Sequence, residues 1–134
     1  MVDKNFPSNS IILIVDQSDP DRTQLKKSLS QLGYQYIVES KDAGEALTKI
    51  EANANTGTPI SLILCDWKAA KVNGPTFLKN IRTSPFSKET PIIMLSSNND
   101  LPNMLCASHK AINGYIVKPF TPEAIKSSME AACP

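Results

Sequence analysis

The sequence has no long apolar run. The longest, Ile11–Val15, covers five residues, far short of the ~20 that a membrane-spanning helix needs, so no membrane association is expected. Charge of one sign is not in excess either. Fourteen Lys+Arg stand against 13 Asp+Glu, for a formal net charge of +1. That excludes a basic nucleic-acid arm and an acidic tail, and direct nucleic-acid binding is not expected. Cysteine is scarce: Cys65, Cys106 and Cys133 are odd in number and lack metal-ligand spacing. A disulfide scaffold is thereby excluded, and reduced thiols in a cytosolic setting are expected. Residues 1–10 are polar and contain no apolar signal core, which also points to a cytoplasmic location. No GxGxxG or GxxxxGK[ST] follows any apolar run, so nucleotide-binding readings lose their main support. Internal repeats, linkers and low-complexity tracts are absent.

What is present is enough apolar material, 41% of 134 residues, for one domain with its own core. Short apolar runs occur at Ile11–Val15, Tyr36–Val38, Ile60–Cys65, Ile92–Leu95 and Tyr115–Val117. Most show no polar alternation, as expected of strands covered on both faces of a parallel sheet. Helix-period segments lie between them. The first starts near Pro20, with Asp19 as cap, and carries Leu25, Leu29 and Leu32 up to Gly33. The second opens with Asp42 and Glu45 at capping-box spacing and buries Ala46, Leu47 and Ile50. Glu51–Pro59 reads as a polar loop after it. The third follows Gly74-Pro75 with Phe77, Leu78 and Ile81 inward. Asn98–Lys110, interrupted by Pro102, reads as a short or mobile fourth helix. The fifth has Thr121 as cap, Pro122 in its first turn, and Ile125, Met129 and Ala132 inward. This alternation predicts an α/β fold: a doubly wound five-stranded parallel sheet with helices on both faces.

Ligand sites in such sheets lie beyond the carboxyl ends of the strands. The polar residues at those ends are Asp16 and Gln17, Asp66, Ser96 and Ser97, and Lys118. Carboxylates, a hydroxyl and an amine gathered on one edge suit a phosphoryl group. Asp66 would be the nucleophile that becomes an aspartyl phosphate. Lys118 and Ser96 would donate to phosphoryl oxygens. A Mg²⁺ ion would find oxygen ligands in Asp16, Asp66 and a backbone carbonyl beyond Asp66.

The stretches IILIVDQSDPDR (11–22), LILCDWKAAKVNG (62–74), PIIMLSS (91–97) and GYIVKPF (114–120) resemble the response-regulator receiver domains of two-component signalling, of the chemotaxis-regulator type. Ser96, Tyr115 and Lys118 follow Asp66 by 30, 49 and 52 residues, as that family shows. The resemblance implies a flavodoxin-like receiver domain over residues 10–134, preceded by a flexible segment over 1–9. It implies Asp66 as phospho-acceptor, Asp16 as the first acid after the first strand, Ser96 as switch hydroxyl, Tyr115 as aromatic switch, and a cis Lys118-Pro119 peptide. It further implies a sensor histidine kinase or histidine phosphotransfer protein as phosphoryl donor. A downstream protein target would bind the face of the fourth helix, fifth strand and fifth helix. Turnover of an external substrate is not expected.

The sequence also departs from that pattern. Gln17 replaces the second acid, the one that touches the metal, and Lys68 supplies the backbone carbonyl expected to ligate it. Ala69-Ala70 replaces the usual Met-Pro. Asp16, Asp66 and Lys118 leave a local charge of −1, and the Lys68 ammonium brings it toward zero. One unit charge at ~4 Å and an effective dielectric of ~20 is worth on the order of 4 kcal/mol before screening. Weak Mg²⁺ binding is therefore expected. The departures also keep open a pseudo-receiver, an interaction module read without phosphorylation. A flavodoxin-like electron carrier is less compatible, because the segment from Gln17 to Asp21 is acidic where a phosphate loop should be.

Overall fold

The computed structural model describes residues 6–68, 74–96 and 112–132, without the side chains of 74–76. The expected fourth helix, Ser97, Ala69-Ala70, Cys106, His109 and Cys133 lie outside the described residues. The elements are β1 (Ile11–Val15), α1 (Asp19–Gln31), β2 (Tyr36–Ser40), α2 (Ala43–Asn55), β3 (Leu62–Asp66), α3 (Gly74–Thr83), β4 (Ile92–Ser96), β5 (Gly114–Val117) and α4 (Pro122–Ala131). The strands are all parallel and ordered β2-β1-β3-β4-β5. This is the flavodoxin-like doubly wound sheet, in which the chain reverses direction across the sheet between β1 and β3.

The apolar runs divide by parity, because successive side chains of a strand point to opposite faces. Ile12, Ile14, Leu62, Leu64, Ile93 and Leu95 pack with Leu25 and Leu29 of α1 and Ile125 and Met129 of α4. Leu13, Val15, Ile63, Cys65, Ile92 and Met94 pack with Ala46 and Ile50 of α2 and Phe77, Leu78 and Ile81 of α3. Each fully buried Leu or Ile contributes ~1.5–3 kcal/mol, so both faces of the sheet are strongly held to their helices.

Three boundaries differ from expectation. Ser18, not Asp19, caps α1: its hydroxyl accepts from Asp21 N, which leaves Asp19 in the first turn to pair with the Arg22 guanidinium. The expected polar loop from Glu51 begins one turn later, since α2 runs on through Ala52 and Ala54 to Asn55. It stops where Gly57 takes φ +80°, a conformation most side chains avoid. The segment expected to be flexible is anchored from Phe6 onward. Phe6 is buried in the α1–α4 core, and its carbonyl accepts from Tyr34 Oη at 2.6 Å.

Candidate functional site

The ladder sets the site. β1 and β3 pair with Val15 opposite Cys65, so Asp16 and Asp66 emerge side by side. β4 pairs with β3 and β5, and Lys118 N donates to Ser96 O at 2.8 Å. Lys118 then meets a cis peptide to Pro119. Asp16, Asp66 and Ser96 are all buried polar residues at strand ends, and such groups need partners.

Lys118 Nζ supplies one to each of the two acids. It lies 2.8 Å from Asp16 Oδ2, 2.8 Å from Asp66 Oδ1 and 2.9 Å from Asp21 Oδ2. Asp21 is the site residue that sequence reasoning missed. It sits in the first turn of α1, where an acid reads as a favourable partner of the helix dipole. Its place in the first turn of the helix that follows the β1 strand end is the signal that sets it over the same edge. The local charge therefore differs from expectation: Asp21 adds one negative charge, so three carboxylates around the Lys118 ammonium leave −2, or −1 with Lys68 of the same cavity counted. Partial burial pulls the Lys118 ammonium toward lower pKa. The hydrogen bonds it donates to Asp16, Asp66 and Asp21 override that and hold its pKa above the ordinary lysine value.

The turn after β1 is itself pinned. Asp16 Oδ1 accepts from Ser18 N at 2.9 Å, and Arg22 of α1 donates to the Asp16 carbonyl. Gln17 behaves unlike the acid it replaces: its amide nitrogen donates to the Lys68 carbonyl at 3.3 Å. The carbonyl expected to ligate a cation is thus held by a neutral donor. Asp16, Gln17, Ser18, Asp21, Asp66, Lys68 and Lys118 line a cavity of about 270 Å³. That is below the ~300–1,000 Å³ of small-molecule sites, and its lining is acidic, which argues against a flavin nucleotide.

Ser96 Oγ is buried and, among the described residues, is the buried side-chain polar atom left without a hydrogen bond. A phosphoryl oxygen is the kind of acceptor it lacks. Tyr115 lies on β5 with 45% of its surface exposed, the outward position, and its carbonyl accepts from Ser128 of α4. Cys65 is fully buried; burial first, then Asp66 and Asp16, push its thiol far above the usual range, in keeping with an inert core cysteine. Trp67 packs partly against the α2–α3 core, next in sequence to Asp66.

A divalent cation of the Mg²⁺ kind takes hard oxygen ligands and keeps several waters. Asp16, Asp66 and the Lys68 carbonyl are oxygen donors on one cavity and fit that requirement. No trio of His, Cys, Asp or Glu side chains among the described residues is set to hold a metal by itself. A cation would have to take the Lys68 carbonyl from the Gln17 amide.

Residues 12–130 match the family model of the response regulator receiver domain. The chain is 36% identical over 119 residues to the chemotaxis protein CheY1 of Helicobacter pylori, covering 89% of this chain and 93% of that protein. It is 29% identical to the CheY homolog of Campylobacter jejuni, covering 89% of this chain and 88% of that protein. Among solved structures it superposes on the chemotaxis response regulator CheY4 of Vibrio cholerae with a TM-score of 0.75 at 27% identity, over 92% of this chain and 98% of that one. No helix among the described residues is long and apolar enough to cross a membrane. With the strand order, the strand-end acids and the lysine in register, these likenesses place the chain in the response regulator receiver domain family.

Proposed function

We propose that the protein is a phospho-accepting signalling switch of the chemotaxis-regulator type. It would take a phosphoryl group from a sensor histidine kinase or a histidine phosphotransfer protein onto Asp66. The observation that carries this reading is the Lys118 ammonium 2.8 Å from Asp66 Oδ1; Ser96, at the end of the neighbouring strand β4, adds a buried hydroxyl with no hydrogen bond among the described residues. In the transfer, an Asp66 carboxylate oxygen attacks phosphorus, the bond from phosphorus to the donor nitrogen breaks, and the donor leaves with that electron pair. The Lys118 ammonium and Ser96 hydroxyl then face the phosphoryl oxygens. Mg²⁺ supplies further charge neutralisation when bound, held by Asp16, Asp66 and the Lys68 carbonyl; the Gln17 amide makes that hold weak.

Drawing Ser96 toward the phosphoryl group frees space beside β5, which Tyr115 fills. The face of β5 and α4 then changes its preference for a downstream protein, a two-state population shift. The molecule acts in the cytoplasm, binds no nucleic acid directly and turns over no external substrate.

A second reading, a pseudo-receiver recognised without phosphorylation, is favoured by the Gln17–Lys68 hydrogen bond. Intact mass measurement after incubation with phosphoramidate and Mg²⁺ separates the two. The switch gains one phosphoryl group that Asp66→Ala does not gain; the pseudo-receiver gains none.

A further inference from the structure

An ammonium has three N–H donors and accepts nothing. On Lys118 all three are matched by carboxylates: Asp16, Asp21 and Asp66. A phosphoryl oxygen that needs this ammonium must therefore displace one of them. Asp66 becomes the phosphoryl carrier and stays next to Lys118. Asp16 has a side chain only 6% exposed, with its other oxygen engaged by Ser18 N. Asp21 is 44% exposed at the rim of the same cavity, so water can replace its lost bond most readily.

We propose that Asp21 is the exchangeable partner of Lys118: a positioning residue that holds the ammonium while Asp66 is unmodified and opposes capture of the phosphoryl group. This rests on the acceptor reading above and adds a restraint to it. On phosphorylation Lys118 trades the Asp21 carboxylate for a phosphoryl oxygen, and Asp21 turns to solvent. The exchange sets how readily the switch turns on. Removing the Asp21 charge eases capture, whereas removing a residue that only supports the fold does not.

The test is beryllofluoride binding at saturating Mg²⁺, read by Trp67 fluorescence, in wild type, Asp21→Asn and Asp21→Ala. Both variants are expected to bind about two- to fivefold tighter than wild type, the range open to an exposed ion pair. The gain is expected to shrink in high salt, where exposed charges are screened. The backbone N–H of residue 21 that Ser18 caps survives in both variants, and matching melting curves confirm the fold. Equal or weaker binding by folded variants overturns the role of Asp21 alone. Absence of binding in all three proteins overturns the acceptor reading and this inference with it.

Discussion

Two ionic clusters occupy the carboxyl edge of the sheet, and they are built differently. At the end of β2, Glu39 lies 3.2 Å from Arg22 Nε and 2.9 Å from Lys26 Nζ, and Arg22 also pairs with Asp19. Two cations meet two carboxylates, and the charges cancel. At the β1–β3 reversal, one ammonium meets three carboxylates. The first cluster is complete; it fastens α1 to the edge strand and asks for nothing further. The second carries surplus negative charge and a carbonyl held by an amide, and the neighbouring strand end adds a hydroxyl with no partner among the described residues. Folding alone gives no reason to keep such an arrangement, whereas capture of a cation and a phosphoryl group does. Among the described residues the two clusters have three ion pairs each and differ in charge balance.

Removing one lysine from each cluster should break the comparison most sharply. Lys118→Met leaves three carboxylates facing one another. It should lower stability by about 2–3 kcal/mol, less than for a fully buried pair because Lys118 keeps some exposure. Urea denaturation at neutral pH reads this, and Asp66→Asn in the same background should restore part of the loss. Lys26→Met at the balanced cluster should change stability by less than ~1 kcal/mol. Similar losses at both sites would contradict the contrast. The Lys118 contribution should also be flat across neutral pH. With its folded pKa raised, it is complete below the ordinary lysine value of ~10.4 and fades only above it.

Gln17→Asp comes next in size. It replaces the amide on the Lys68 carbonyl with a carboxylate and should tighten Mg²⁺ binding several-fold, followed by Trp67 fluorescence. Tight micromolar binding by the wild type would remove the reason for the experiment and the claim of a weak cation site.

The smallest effect should be Glu39→Gln. The Glu39 carboxyl is held below its usual pKa, chiefly by the hydrogen bond from Lys26. Its contribution is therefore present above the ordinary glutamate value of ~4.3 and lost as pH falls through the lowered one. With the side chain 38% exposed, the loss should stay within ~1 kcal/mol. The variant should flatten the acid limb of the stability curve without touching Mg²⁺ binding.

The sheet was legible because its three central strands, β1, β3 and β4, are buried on both faces and read as apolar runs; Ile12 to Val15 have no measurable exposure. Asp16, Asp66 and Lys118 were legible because the strand-end rule turns sequence order into spatial neighbourhood. Asp21 was not, because an acid in the first turn of a helix has an adequate local explanation, and only the fold puts Lys118 above it. Gln17 was legible as a missing charge but not as a donor, since which amide atom faces the Lys68 carbonyl depends on the loop after β3. Ser18 and Asp19 are both good caps; Ser18 takes the role, and Asp19 pairs within α1 with Arg22, three residues on. Phe6 went unnoticed as an isolated aromatic in a polar stretch, yet the Tyr34 hydroxyl fixes its backbone.

Three carboxylates share one lysine, so the central question is which of them takes the phosphoryl group. Phosphoramidate-treated protein reduced with borohydride converts an aspartyl phosphate to homoserine, which peptide mass mapping locates. Homoserine at position 66 and nowhere else is the predicted result. Homoserine at 16 or 21, or at no position, would contradict the account.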